Sequence, residues 1–147
     1  MMLQVLITIL TRDLEKLYNE IDAFTDEDSI WKTTGNITNS AGNLCLHLCG
    51  NLNTYIGAKL GSSGYVRDRP AEFSRKDVPK SELLKQVELT REIVAQTLQQ
   101  LQPADLEKDF PEQVLGKPMT TGFFLVHLTA HLSYHLGQIN YLRRVLE

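Results

Sequence analysis

The chain has 147 residues, a formal charge of −3, 42% hydrophobic residues and 22% charged residues. That length and composition describe one ordinary globular domain and exclude the highly charged, apolar-poor chains that stay disordered. Lys and Arg are interspersed with acids, so no basic face for nucleic acid is expected, and no run of about 18 apolar residues offers a membrane span.

In the first segment Leu3, Leu6, Leu10, Leu14, Leu17, Ile21 and Phe24 recur every three or four residues. This places them on one stripe and predicts a helix over about residues 2–24. The apolar start, Met1 to Leu10, has no basic leader or small-residue cleavage site and runs into Arg12, Asp13, Glu15 and Lys16. No export signal is expected there. Thr25 to Ser29 interrupts the pattern, and Trp31, folded inward, precedes the turn-prone Thr33-Thr34-Gly35-Asn36.

Asn39 or Ser40 can cap a second helix over about residues 40–60, almost wholly apolar from Leu44 to Leu60 and ended by Gly61-Ser62-Ser63-Gly64. It holds Cys45 and Cys49, four residues apart, where a disulfide has poor geometry. A reducing cytoplasm is the expected setting, with both thiols in the core or at an interface. Residues 61–77 are charged, Gly-containing and aperiodic, which suits a long crossover or a lid.

A third helix is predicted over about residues 81–101, with Leu84, Val87, Val94, Leu98 and Leu101 as its apolar stripe. Pro103, Pro111, Gly116 and Pro118 break the next stretch. Thr120 or Thr121 can then cap a fourth helix over about residues 121–145. Four long helices with no alternating strand pattern predict a single all-α domain over residues 1–147, a four-helix bundle.

All four histidines fall on two of these helices: His47 on the second, His127, His131 and His135 on the fourth. Four residues along a helix advance it ~6 Å and rotate it roughly 40° beyond a full turn, so imidazoles at that spacing can converge on one ion. Either His127 with His131 or His131 with His135 qualifies. His127 and His135, roughly 80° and ~12 Å apart, cannot both join His131 on one ion from an unbroken helix. Phe124, Leu128, Tyr134, Gln138 and Leu142 share the side of His131, which predicts an inward-facing histidine stripe. Imidazoles lining a bundle interior suit a divalent metal such as zinc, nickel, copper or iron; the alternative is core histidines satisfied by carbonyls or water. His47 shares its face with Asn43, Gly50, Asn51 and Thr54, so amphipathicity points it outward unless that face borders a wet cavity.

His131-Leu132-Ser133-Tyr134-His135-Leu136-Gly137-Gln138-Ile139 resembles the closing signature of the DinB/YfiT-like superfamily, His-x-x-x-His-x-Gly-Gln-Ile. The stretch Leu44 to Leu52 around His47 resembles that superfamily's second helix. The resemblance implies a four-helix bundle of the DinB/YfiT-like type, often a homodimer, with His47, His131 and His135 as ligands of one divalent metal ion. Zinc or nickel lead, with iron, cobalt or manganese also compatible. It further implies that His127 supports the ligands or borders the substrate, that Gln138 can fix a ligand or water by a hydrogen bond, and that Gly137 admits a neighbouring helix; among the tyrosines, Tyr134 is the one expected to offer a proton or hydrogen bond beside the site.

The function implied is that of a metal-dependent transferase or hydrolase, with a low-molecular-weight thiol as a cofactor and a small-molecule substrate of unknown identity. The alternative is a non-catalytic metal- or ligand-binding dimeric bundle whose ion is structural.

Overall fold

The computed structural model describes residues 1–147 and is all-helical: it has five α-helices and no strand, its only extended pairing being an isolated bridge between Asp109 and Thr120. No helix is long and apolar enough to cross a membrane.

Helix α1 (Met2–Asp22) buries Leu6, Leu10, Leu14, Leu17 and Ile21, while Leu3 is only half-buried near its start. The helix stops two residues short of Phe24, which is nevertheless buried just beyond its end. A 3₁₀ turn (Glu27–Trp31) follows, capped by the Asp26 carboxylate accepting from the Asp28 N–H. Trp31 does fold inward, against Gly42, where a Cβ would lie 2.7 Å from the indole ring.

Helix α2 (Ala41–Leu52) is capped by Ser40, whose hydroxyl accepts from the Asn43 N–H at 3.2 Å. It continues through a π-helical segment (Asn53–Ala58) and a last turn (Lys59–Gly61), and ends on Ser62 in the left-handed region at φ 51°. At the start of the π segment the Asn53 amide donates to the Cys49 carbonyl and to Thr90 Oγ1, both at 2.8 Å. All twelve residues of α2 are buried, its polar side included.

The cover for that polar side comes from the crossover, which is not an aperiodic loop throughout. It contains a short helix α3 (Arg69–Ser74), capped by Asp68 and with Pro70 in its first turn. Six residues are too few to display a helical period, which is why the sequence pattern misses it. Asn43 Nδ2 donates to the carbonyls of Glu72 and Arg75, each at 2.9 Å, and so ties α3 onto α2.

Helix α4 (Lys80–Gln100) turns Leu83, Val87, Val94 and Leu98 into the core along with Thr90 and Thr97. Leu83 takes the core position expected for Leu84, which is half-buried, because the buried face is rotated by one residue at this end. A 3₁₀ turn (Pro103–Glu107) leads towards helix α5 (Thr121–Leu146), whose cap is Thr120, accepting from the Phe123 N–H at 3.1 Å.

Helix α1 packs on α4 and α5, and α2 packs on α3, α4 and α5. Leu10, Leu14, Leu48, Leu52, Leu98 and Leu132 are fully buried where these helices meet. Each such side chain contributes about 1.5–3 kcal/mol of transfer free energy. The Tyr55 ring meets Phe124 at 5.2 Å while His47 meets His131 at 5.0 Å, so α2 and α5 run antiparallel. That pairing brings the second-helix histidine to the middle of the last helix.

Candidate metal centre

On α5 the fully buried line runs through Phe124, Leu125, Leu128, Leu132, Ile139 and Leu142. The histidines lie along its flank and not on its centre, a correction to the inward stripe expected from spacing. Leucine and isoleucine claim the centre because apolar surface gains most from leaving water. His131 and His135 are half-buried at the edge facing α2, and His127 is exposed, its ring stacked on Phe124 at 5.7 Å. Tyr134 and Gln138 are likewise exposed.

His47 is only 6% exposed, against its amphipathic expectation, because α3 covers its face. Its Nε2 lies 3.1 Å from Nε2 of His131. The rings of His47 and His135 are 5.3 Å apart, and those of His131 and His135 4.6 Å. One ligand atom from each of the three lies within 4.8 Å of the others, a group that can hold a metal ion. Of the two pairs that spacing allowed on the last helix, this cluster contains His131 with His135 and leaves out His127.

Two of the three rings are held from behind. Glu72 Oε1 accepts from His47 Nδ1 at 3.0 Å, and Gln138 Oε1 accepts from His135 Nδ1 at 2.7 Å. An imidazole that donates through Nδ1 offers its Nε2 lone pair to an ion. The third ring, His131, has a buried Nδ1 without a hydrogen-bond partner.

Burial favours the neutral ring at His131 and at His135. Burial, followed by the neighbouring His135 and His47, pulls the His131 pKa from its ordinary 6.5 down to about 4. Burial also lowers His135, partly opposed by its bond to Gln138. A metal needs the unprotonated lone pair, so these shifts suit ligation at neutral pH. The three imidazoles converge and are partly withdrawn from water, a donor set that can hold a metal ion.

Glu72, Arg67 and Phe73 are the site residues that sequence reasoning missed. Arg67 grips the Glu72 carboxylate from two directions, Nε to Oε2 at 2.8 Å and Nη2 to Oε1 at 2.9 Å. Phe73 lies against the His47 ring with centroids 4.9 Å apart. Burial pushes the Glu72 carboxyl up, but the hydrogen bonds from His47 and Arg67 outweigh it and hold the group below its ordinary 4.5. The signal available in the sequence was Asp68-Arg69-Pro70, a helix start that would have put Glu72 on a helix.

Beside His135 opens a groove of about 560 Å³, lined by Ile37, Leu44, Tyr134, Tyr141 and Gln138 among others. Its volume is that of a small-molecule pocket. Gly137 does not admit a neighbouring helix of this chain: nothing lies within 4 Å of where its side chain would begin. Cys45 and Cys49 are free and buried, on the core side of α2.

The chain belongs to the family described as Protein of unknown function (DUF1572), whose model matches residues 2–147, and that family lies in the DinB/YfiT-like clan. No curated protein matches the chain.

Proposed function

We propose that this is a divalent-metal-binding four-helix bundle of the DinB/YfiT-like type that works as a metal-dependent transferase or hydrolase. The observation that carries this reading is the meeting of His47, His131 and His135 within 4.8 Å. The surroundings of His131 and His135 favour the unprotonated rings that ligation requires.

In this reading His47, His131 and His135 hold one ion, zinc or nickel first. Bound there, the ion supplies Lewis acidity towards a water, a thiol or a carbonyl. Gln138 orients His135, and Tyr134 borders the groove in which a small molecule lies. The lining of the groove beside His135 includes no serine, cysteine or lysine, which favours a nucleophile carried in by a low-molecular-weight thiol or by water. Phe123, Val126, Tyr134, Tyr141 and Val145 leave an exposed apolar face on α5, which supports a homodimer.

The test is a thermal melt of metal-free protein titrated with zinc and with nickel, followed by a screen of the loaded protein with thiols and electrophilic substrates. Binding raises the melting temperature with ion concentration, and turnover that disappears on chelation supports the enzyme. Metal-dependent melting with no turnover on any substrate would favour a structural ion instead.

A further inference from the structure

We infer that Glu72 is the positioning residue of the His47 ligand, fixing which ring nitrogen faces the cluster. This rests on the three-histidine reading but concerns a residue on a different element, the short helix α3.

Glu72 is not placed to be a ligand. It meets His47 at Nδ1, whereas the contact of His47 with His131 is made by Nε2, on the opposite side of the ring. Arg67 Nη2, a donor, also lies 3.4 Å from Nδ1, but the Glu72 oxygen is nearer at 3.0 Å, and an acceptor there selects the tautomer with the proton on Nδ1 and leaves the Nε2 lone pair pointing at the cluster. Without that acceptor the proton is free to sit on Nε2, and the ring is free to rotate.

The carboxylate is built in from three sides. Arg67 clamps both of its oxygens, and its side chain is 6% exposed. Asn43 anchors the Glu72 carbonyl to α2. Gly50, one turn beyond His47, leaves the space the carboxylate fills: a Cβ there would collide with Oε2 and lie 2.6 Å from Cδ. An alanine at position 50 therefore pushes Glu72 off His47 without touching any of the three histidines. A carboxylate buried this deeply is costly unless it is paired, and its partners here are the Arg67 clamp and one ring nitrogen.

The experiment compares wild type, Glu72→Leu, Glu72→Gln and Gly50→Ala. The histidine tautomers of metal-free protein are read by long-range ¹H–¹⁵N spectra, and zinc affinity by competition with a chelator. Wild type shows the Nδ1–H tautomer at His47. Glu72→Leu and Gly50→Ala lose it and bind zinc about 10- to 100-fold more weakly. Glu72→Gln keeps an acceptor oxygen, retains the tautomer and falls between. If Glu72→Leu does not fold, Gly50→Ala and Glu72→Gln decide by the same two readings. Wild-type tautomer and wild-type zinc affinity in Glu72→Leu, or in Gly50→Ala, would overturn the assignment. Should wild type bind no zinc, the metal reading fails by itself, while the His47 tautomer still decides the role of Glu72.

Discussion

Nδ1 of His47 and Oε1 of Glu72 lie 3.0 Å apart, a contact that joins the second helix to the crossover 25 residues further along the chain. It helps explain why a helix with a polar stripe can be buried on every side: Asn43 and His47 find hydrogen-bond partners on α3 and at its end.

Arg67→Met tests how much that arrangement depends on the clamp. The substitution leaves a buried carboxylate without its cation, and breaking such a pair from one side costs about 3 kcal/mol. Urea unfolding at neutral pH measures it. A loss under about 0.5 kcal/mol would mean that the pair behaves like an exposed one.

Acid should weaken the metal-free protein in a defined window. His131 is held at about 4 against an ordinary 6.5, so between those values the unfolded chain binds a proton that the folded chain refuses. Stability is therefore full above 6.5 and falls as pH drops towards 4. Glu72, held below 4.5, adds a loss of the same sign at lower pH. Urea midpoints should hold level from about pH 7.5 to 6.5 and fall from there to about pH 5, and His131→Gln should flatten the decline. A flat wild-type profile would contradict the burial argument.

His127 and Gln138 should separate cleanly. His127 is exposed and stacked on Phe124, so His127→Ala leaves zinc affinity unchanged. Gln138→Leu removes the acceptor at His135 Nδ1 and lowers affinity roughly 10-fold. Chelator competition reads both, and the reverse order would exchange their roles.

Gly42→Ala probes the contact with Trp31. The added methyl meets the indole at 2.7 Å, and overpacking of this kind costs about 1–3 kcal/mol. Trp31 is the single tryptophan, so its emission reports the displacement directly. An unshifted spectrum with unchanged stability would refute the contact.

The long helices are legible because their apolar residues repeat over about four turns or more: Leu6 to Ile21 on α1 needs no tertiary information. The caps are legible to within one residue, Asn39 or Ser40 and Thr120 or Thr121, for a local reason, a short polar side chain just before the helix; the structure uses Ser40 and Thr120. The pairing of His131 with His135 came from a resemblance, since spacing left two pairs open. What stayed hidden depends on contacts distant in sequence. His47 looked solvent-facing because its cover is α3, and Glu72 carries no periodic signal of its own on a six-residue helix. Tyr134 and Gln138 were set too deep because an angular stripe does not tell its centre from its flank.

The most direct test of the metal centre is elemental analysis of protein purified without an affinity tag, as wild type and as His47→Ala, His131→Ala, His135→Ala and His127→Ala. One divalent ion per chain in wild type and His127→Ala, and its loss from the other three, is the expected result. Metal content unchanged in His131→Ala and His135→Ala would contradict it.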